Sequence, residues 1–370
     1  MRLSYVPGIV LIGCHSSEVK SDGMLSLTLL AALLSFQQHA VKIYDAPIDD
    51  GYNLRAEASY FPKSPGVCCT SLLRVLLVDR LNANRYWEIT AISDEYEHTY
   101  TVKRADRSSI VVEQTRPDYG VHEGSFKLFF DVRSKRLLKK IDFNPAEALK
   151  SVSTEEAQGV GLDPAVFVQI KNIDFSPLYS KPDDAALPVA LRNQPFPQST
   201  YRDFARARPN RVRDGYDERS TIIGEKIGPH QVVNGRIWFG KTFGDGEGGS
   251  GVGGLGYFDI DQNKFTFLQI PEVSDWSVSA LLVENETVWA GLVSRGENAV
   301  IVKGLLRHDL KTSGTQIYRI EDAIKTIVRS GNRLLIGTTN GIYVLNEGGL
   351  IRHRVEPTMD GKFALYTERL

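Results

Sequence analysis

The stretch RLLIGTTNGIYVLN, residues 333–346, places two short apolar runs on either side of a polar turn. The runs RIWFG at 236–240 and TVWAG at 287–291 resemble its first half, LLIG at 334–337. A second run follows each of them and ends in Asp or Asn: GLGYFD at 254–259, GLLRHD at 304–309 and GIYVLN at 341–346. Short runs rich in β-branched and aromatic residues, separated by turn residues, predict β-strands. The C-terminal half is therefore predicted to be a series of repeated β-units.

Two further strands complete each unit. An apolar run precedes the first, as at 278–283 and 324–328, and an alternating run follows the second, as at 264–270 and 315–320. Four strands per unit, with apolar inner strands and alternating outer ones, are typical of β-propeller blades. The pattern resembles the two-component-regulator type of propeller repeat, in which a Trp-x-Gly-Thr strand leads to a Gly-Leu-x-x-x-Asp strand. The match is best at residues 335–346.

The N-terminal half contains the same unit in a weaker form, at 73–79 with 85–89 and at 126–131 with 136–141. The acidic or amide residues that end the third strand stand at positions 79, 131, 259, 309 and 346. Positions 131 and 259 are 128 residues apart, whereas 79 and 131 are 52 apart. A further blade of about 50 residues with an insertion fits the long gap. The predicted fold is an all-β six-bladed propeller, with five or seven blades as alternatives.

The least regular region, residues 144–220, is predicted to be a degenerate, insertion-bearing blade. Residues 145–156 suit a short amphipathic helix, AVFVQI at 165–170 is predicted as a strand, and six prolines between 177 and 209 indicate a long loop. The strand at 362–367 is expected to complete the first blade, which would hide both edges from intermolecular pairing. Residues 41–370 would then form a single propeller domain.

The N-terminus carries export signals. MLSLTLLAALLSF at 24–36 has the length of a signal-peptide core and is shorter than the roughly 20 apolar residues of a membrane span. Cleavage near Ala40, with Met24 as the true start, predicts a secreted or periplasmic chain. The tetrad Leu-Ile-Gly-Cys ending at Cys14 resembles a lipobox and offers an alternative, a lipid anchor through Cys14. No apolar run after Val41 approaches membrane length.

Composition and motifs argue against several function classes. Lys and Arg total 44 against 45 for Asp and Glu, which disfavours a nucleic-acid surface. The G-x-G-x-x-G match at 251–256 precedes a strand and not a helix, so a dinucleotide cofactor is not expected. Asp259-x-Asp261-x-Asn263 suits a hairpin turn better than a calcium loop. The seven histidines lack metal-ligand spacing, and no metal is predicted.

Loop length indicates a candidate site. Long connections at 241–253 and 292–303 belong to adjacent blades and should lie on one face together with the connection between those blades. Long loops also arise by drift, so loops without a binding role are the alternative interpretation. The charged and aromatic residues of the three segments would suit a sugar, a peptide or a cation: Asp245, Glu247, Asp275, Trp276, Arg295 and Glu297.

The preferred hypothesis is an exported, non-catalytic propeller that binds a protein, peptide or carbohydrate ligand through this face. The alternative is a propeller hydrolase or lyase that acts on glycans with carboxylates near a central channel. A third hypothesis is the sensor part of a signalling system, because the repeat class occurs there. The absence of a catalytic signature favours the first of these hypotheses, although propeller enzymes can draw their catalytic groups from separate blades.

Overall fold

The computed structural model describes most of the chain after residue 39. The described residues are 40–49, 51–60, 71–94, 98–116, 121–173, 187–192, 194–207, 219–222, 224–243, 251–295 and 300–370. The predicted signal segment with Cys14, and the pair Cys68 and Cys69, lie outside them. Ala40–Leu370 forms one compact unit.

Five antiparallel sheets make up most of this unit, and in each sheet the strands are neighbours in chain order. Sheet 1 contains β1 (Val41–Pro47), β2 (Tyr52–Tyr60), β3 (Ser71–Asp79) and β4 (Tyr86–Asp94). Sheet 2 contains β5 (Thr99–Ala105), β6 (Ser109–Arg116), β7 (Val121–Asp131) and β8 (Arg136–Phe143).

The remaining sheets follow a helical segment. Sheet 3 contains β9 (Lys226–Val233), β10 (Arg236–Thr242), β11 (Leu255–Asp259) and β12 (Lys264–Phe267). Sheet 4 contains β13 (Ser277–Glu284), β14 (Thr287–Arg295), β15 (Val300–Asp309) and β16 (Thr315–Tyr318). Sheet 5 contains β17 (Ile324–Ser330), β18 (Arg333–Thr338), β19 (Gly341–Asn346), β20 (Gly349–Pro357) and β21 (Phe363–Arg369).

Four antiparallel strands in chain order make up each of sheets 1 to 4 and begin sheet 5. The five marker positions each end the third strand of a sheet, at Asp79, Asp131, Asp259, Asp309 and Asn346. Their side chains close the following turn: a carboxylate or amide oxygen accepts a hydrogen bond from a backbone N–H two or three residues on. Such Asx turns satisfy backbone groups that the strand pairing leaves free. The marker is therefore a structural requirement of the unit.

The strand predicted at 165–170 is wrong, because these residues lie in a helix. Residues 145–171 form α1 (Pro145–Ser151), α2 (Thr154–Gly159) and α3 (Pro164–Lys171), and two short helices follow, α4 (Val189–Arg192) and α5 (Tyr201–Ala207). Asp163 caps α3 by accepting from the N–H groups of Ala165 and Val166. Phe167 and Ile170, three residues apart, are buried on one face of α3. The single helix predicted at 145–156 is found as two helices, α1 and α2, separated by Val152 and Ser153. The described part of 144–220 contains no sixth sheet.

The prediction that residues 362–367 complete the first blade is also wrong. Strand β21 pairs with β20 of its own sheet, in the register that places Phe363 opposite Pro357 and Arg369 opposite Ile351. Sheet 1 already has four strands, because β1 pairs with β2 across a short turn. The C-terminal strand therefore makes sheet 5 five-stranded.

Neighbouring sheets meet through a repeated contact between a glycine and a branched side chain. A Cβ on Gly240 would overlap with Val278 of the next sheet, and one on Gly291 would lie 2.8 Å from Cβ of Ile324. At the equivalent Gly337, a Cβ would lie 2.8 Å from Cγ2 of Ile170 in α3. Helix α3 therefore packs on Gly337 of sheet 5. In sheets 3 and 4, the first strand of the next sheet packs on the equivalent glycine.

Sheet 5 also packs against sheet 2. Glu356, which is 1% exposed, accepts hydrogen bonds from Arg104 at 2.7 Å and from Lys127 at 3.0 Å. The guanidinium of Arg104 lies 4.3 Å from the ring centroid of Tyr366 on β21. This buried ion-pair cluster holds the two sheets together.

Candidate functional site

The ends of the second strands in sheets 3, 4 and 5 define one face, which we call the loop face. Lys241, Leu292 and Thr338 directly follow the glycines of the repeat, Gly240, Gly291 and Gly337. They pair with Ile227, Val278 and Ile324 of the preceding strand. Two residues before each of those partners, the chain carries an equivalent position in all three sheets, occupied by Glu225, Trp276 and Asp322. The repeat thus presents one side chain per sheet at the same place.

Glu225 forms a buried cluster with Lys241. The Lys241 Nζ lies 2.5 Å from Oε2 of Glu225 and donates to Oγ of Ser199 at 2.6 Å. Backbone N–H groups of Ser199 and Val252 donate to the two carboxylate oxygens at 2.8 and 2.7 Å. Burial lowers the pKa of Lys241, while the Glu225 carboxylate acts in the opposite direction. The cluster therefore ties two segments to sheet 3: the one at Ser199, which precedes β9, and the one at Val252, which precedes β11.

Trp276 lies where three segments of the loop face meet. The Gly253 N–H donates to the Ser274 carbonyl at 2.8 Å, and a Cβ at Gly253 would overlap with the carbonyl oxygens of Val273 and Trp276. From the β14–β15 hairpin, Nζ of Lys303 lies 5.2 Å from the Trp276 ring centroid and donates to the Glu272 carbonyl at 3.0 Å. The segments before β11, before β13 and at the start of β15 therefore contact one another around a half-buried indole.

Asp322 forms the corresponding cluster in sheet 5. Its Oδ2 accepts from the Tyr343 hydroxyl at 2.6 Å and from Arg352 at 2.5 Å, and its Oδ1 accepts from Asn340 at 2.9 Å. Burial, with the Asp322 charge as a second cause, raises the pKa of Tyr343. Both carboxylate oxygens of Asp322 are thus engaged within the protein.

A small polar cavity lies between sheets 2 and 5, beside this cluster. Its volume is about 20 Å³, and its lining includes Lys103, Glu113, Asn340, Arg352 and Glu356. Nε of Arg352 and Oε1 of Glu356 are buried without a hydrogen-bond partner among the described residues. The volume matches about one water molecule. This cavity is too small for an organic ligand.

The structure places only part of the predicted site. Trp276 is half-buried, and Asp275 beside it is exposed on the connection between sheets 3 and 4. Asp245, Glu247 and Glu297 lie outside the described residues, and so does the side chain of Arg295. The structure brings Trp276 together with Gly253, the end of the predicted long connection at 241–253.

The second predicted long connection, 292–303, is mostly strand. Strand β14 extends to Arg295 and β15 begins at Val300, so only residues 296–299 connect them. The repeat pattern ends at Gly291 and gives no sign of further pairing. The pairs Val293 with Val302 and Ser294 with Ile301 nevertheless extend the hairpin beyond it. The expectation of a long loop at this point is therefore corrected.

Sequence reasoning missed Glu225, Lys241, Asp322 and Arg352. Charged residues in turns and at strand ends are ordinarily solvated, and nothing in their sequence context marks them as buried. One signal was available, because Lys241 directly follows the Trp-x-Gly element of a buried strand. Position 338 carries Thr and position 292 carries Leu at the same place, both of which are buried.

The weaker motifs have structural roles. Residues 251–256 lead into strand β11, so the G-x-G-x-x-G match lacks the helix of a dinucleotide site. Asp259 closes the β11–β12 hairpin, with Asn263 at a positive φ of 49°. Within the described part of the chain, no group of three His, Cys, Asp or Glu residues is arranged to hold a metal ion. No helix among the described residues is long and apolar enough to cross a membrane.

No family model matches the chain, and no similar curated protein was found. Among solved structures it is similar to the extracellular domain of the putative hybrid two component system BT4673 from B. thetaiotaomicron, at 12% identity and a TM-score of 0.26. That similarity covers 90% of this chain and 38% of the other.

Two other solved structures show similarities of the same order. Cobalt-substituted Synechocystis ACO matches at 8% identity and a TM-score of 0.21, over 92% of this chain and 64% of the other. The AfRom2 CNH domain matches at 6% and 0.23, over 90% and 97%. This chain spans less than two thirds of the length of BT4673 and of ACO.

Proposed function

We propose that the chain is an exported, non-catalytic β-propeller that binds a protein, peptide or carbohydrate ligand through its loop face, centred on Trp276. The observation that carries this proposal is that three segments meet around the indole. They are the segment before β11 of sheet 3, the segment before β13, and the start of β15 of sheet 4. Binding sites concentrate on loops that a rigid scaffold positions. The clusters at Glu225 and Asp322 supply that rigidity on either side.

The chemistry of the face suits a ligand with both apolar and polar groups. A half-buried Trp offers a flat apolar surface with a polar edge, and such residues are enriched at binding interfaces. The exposed Asp275 and the ammonium of Lys303 lie beside it. Asp245, Glu247, Arg295 and Glu297 are proposed to extend this site as its charged rim.

The buried carboxylates of this region support binding over glycan hydrolysis. Glu225, Asp322 and Glu356 each have a Lys or Arg nitrogen within 3.0 Å. A glycosidase needs a pair of carboxyl groups of which one is protonated and donates to the leaving group. These three carboxylates are instead buried in ion pairs within the protein.

Export belongs to the same proposal. The apolar segment at 24–36 would direct the chain to the periplasm or the exterior, with a lipid anchor at Cys14 as the alternative form. Residues 41–370 would act there as a single domain. Mass spectrometry of the mature N-terminus distinguishes the two forms, since only the second begins with a lipidated Cys14.

We expect Trp276→Ala to lower ligand affinity at least tenfold, as loss of an aromatic anchor ordinarily does. The probes are an oligosaccharide array and a displayed peptide library, followed by calorimetry with each probe that binds. Trp87→Ala is the matched control, because Trp87 is also half-buried but lies on sheet 1. Unchanged affinity of Trp276→Ala for every bound probe, or no bound probe at all, would contradict the proposal.

The rim residues have a separate test. Reversing the charges of Asp245, Glu247 and Arg295 together should weaken the same probes and change their salt dependence, because exposed charges act through screened interactions. Retained affinity and salt dependence would remove the rim from the site while leaving the role of Trp276 intact.

A further inference from the structure

A second surface lies at the turns of sheets 1 and 2. It consists of the turns after β3 and β7 together with the β5–β6 turn, and we call it the basic turn surface. Six cations carry it: Arg80, Arg85, Arg107, Arg133, Lys135 and Arg136. All but Lys135 are exposed.

Contacts between the two sheets make these turns one surface. Arg107 of sheet 2 donates to the Ile48 carbonyl of sheet 1 at 3.1 Å. Within sheet 1, Arg80 donates to the neighbouring Asp49 carbonyl at 3.2 Å. The Lys135 ammonium lies 3.4 Å from the ring centroid of Trp87 in sheet 1. The cations of sheet 2 therefore lie beside those of sheet 1.

The neighbouring carboxylates are occupied by turn closure. Asp49 accepts from the N–H groups of Gly51 and Tyr52, and Asp79 accepts from those of Leu81 and Asn82. Asp106 and Asp131 accept in the same way from their own turns. These four carboxylates keep their negative charge, so the six cations leave the surface with a net charge of about +2. The guanidinium groups of Arg85, Arg133 and Arg136 extend from exposed positions.

The repeat provides an internal comparison. From the end of the third strand to the first residue of the fourth, sheets 1 and 2 carry two and three cations, while sheets 3, 4 and 5 carry one, one and none. All five turns close by the same Asx hydrogen bonds, so the fold does not require the extra charges. Cations on edge strands discourage pairing between molecules, but Arg80, Arg107 and Arg133 lie in turns and not on an edge.

An apolar tip accompanies the cations. Leu81, between Arg80 and Arg85, is 99% exposed. Anionic lipid headgroups attract clustered Lys and Arg, and an exposed apolar side chain inserts at the boundary between headgroups and acyl chains. We propose that the basic turn surface docks the chain on an anionic lipid surface.

Co-sedimentation of the full chain with vesicles tests this proposal. Neutral vesicles are pure phosphatidylcholine, and anionic ones contain about 30% phosphatidylglycerol. Because both arms use the same chain, any binding through the apolar N-terminal segment is common to both. We expect tighter binding to the anionic vesicles, weakened by salt.

The variant Arg85→Glu, Arg133→Glu, Arg136→Glu should lower the affinity for anionic vesicles by about 100-fold, at about fivefold per cation. Lys150→Glu, Arg319→Glu, Lys362→Glu is the matched control, with the same change in net charge at exposed positions outside these turns and their counterparts, and should retain binding. Leu81→Ser should weaken binding without altering its salt dependence. Thermal unfolding confirms that each variant is folded, and the salt dependence of the unmodified chain stands as evidence if the triple variant is not.

Equal binding to neutral and anionic vesicles, or full binding by the folded triple variant, overturns the proposal. So does binding to heparin or duplex DNA with no binding to anionic vesicles, which would assign the surface to a soluble polyanion. The vesicles contain no ligand for the loop face, so failure here leaves the proposed function untouched.

Discussion

At the residue scale, the contact between sheets depends on glycines that leave no room for a side chain. Gly240 adjoins Val278, and Gly291 adjoins Ile324, across successive sheets. Protein interiors are packed at crystal density, so an added methyl group has to displace its neighbour. The same position therefore carries glycine in all three C-terminal sheets for a steric reason, and the tryptophans before it, Trp238 and Trp289, are buried in the clusters between sheets.

We expect Gly240→Ala to lower the free energy of unfolding by about 1–3 kcal/mol, the usual cost of overpacking. The second substitution Val278→Ala should recover part of that loss, because it removes Cγ1 and Cγ2, two of the three Val278 atoms with which the new Cβ overlaps. Denaturant unfolding of the single and double variants measures the coupling. Gly159→Ala is the control, since nothing lies within 4 Å of its added Cβ. Strictly additive losses would contradict the contact.

Two buried histidines make stability depend on pH. Burial lowers the pKa of His308 and of His353 below the ordinary 6.5. The unfolded state therefore binds protons before the folded state does, so the stability is fully present above about pH 6.5 and is lost as pH falls toward the lower folded pKa values. The free energy of unfolding should decrease between pH 7.5 and about pH 5.

The double variant His308→Asn, His353→Asn should show a smaller decrease over the same range. Its remaining slope reports the other titrating groups, among which Asp45 and Asp106 have lowered pKa values and act at more acidic pH. An identical slope in the variant would show that the histidines do not contribute. Each imidazole Nδ1 is within hydrogen-bond distance of a Thr hydroxyl, so Asn keeps a polar group at the site.

At the scale of elements, Glu356 is the clearest point of dependence between sheets 2 and 5. We expect Glu356→Gln to lower the free energy of unfolding by about 3–5 kcal/mol, because it leaves the buried Lys127 without its anion. Arg104 keeps its second partner, Asp106, at 2.6 Å. Glu368→Gln is the control, since Glu368 pairs with Arg354 at 3.3 Å from a half-exposed position. Denaturant midpoints compare the two, and similar losses would show that the Glu356 pair has no special role.

Element assignment from sequence succeeded where strands were short and bounded by turns, and it failed at residues 165–170. AVFVQI is an apolar run rich in β-branched residues, and such runs suit a buried strand and a buried helix face equally well. The preceding Asp163-Pro164 is a helix start signal, with an N-cap carboxylate and a proline at the first helical position. These two residues favour a helix from Pro164 onward, as α3 shows.

At the scale of the whole molecule, sheets 3, 4 and 5 pack in chain order, and sheet 5 then packs on α1–α3 and on sheet 2. Local patterns predicted the units but not this arrangement, because strand pairing and sheet neighbours depend on contacts distant in sequence. The C-terminal strand illustrates this, since its composition fits any open sheet edge and only the register with β20 decides its place. The candidate site shows the same limit: Trp276 was predicted from its connection, whereas the buried pair of Glu225 and Lys241 required the folded chain.

The glycine contact between sheets has a consequence for how such a chain can lengthen. The fourth sheet contributes both parts of it, a branched residue in its first strand and a glycine in its second, and so does the fifth. A unit with both parts is complementary to its own copy, so duplication of the coding segment would yield a new unit whose contacts already exist. The meeting of Gly337 with Ile170 shows that the same recess accepts a helix. Growth of the chain by tandem duplication, and replacement of one copy by unrelated sequence, are therefore both sterically permitted at this contact.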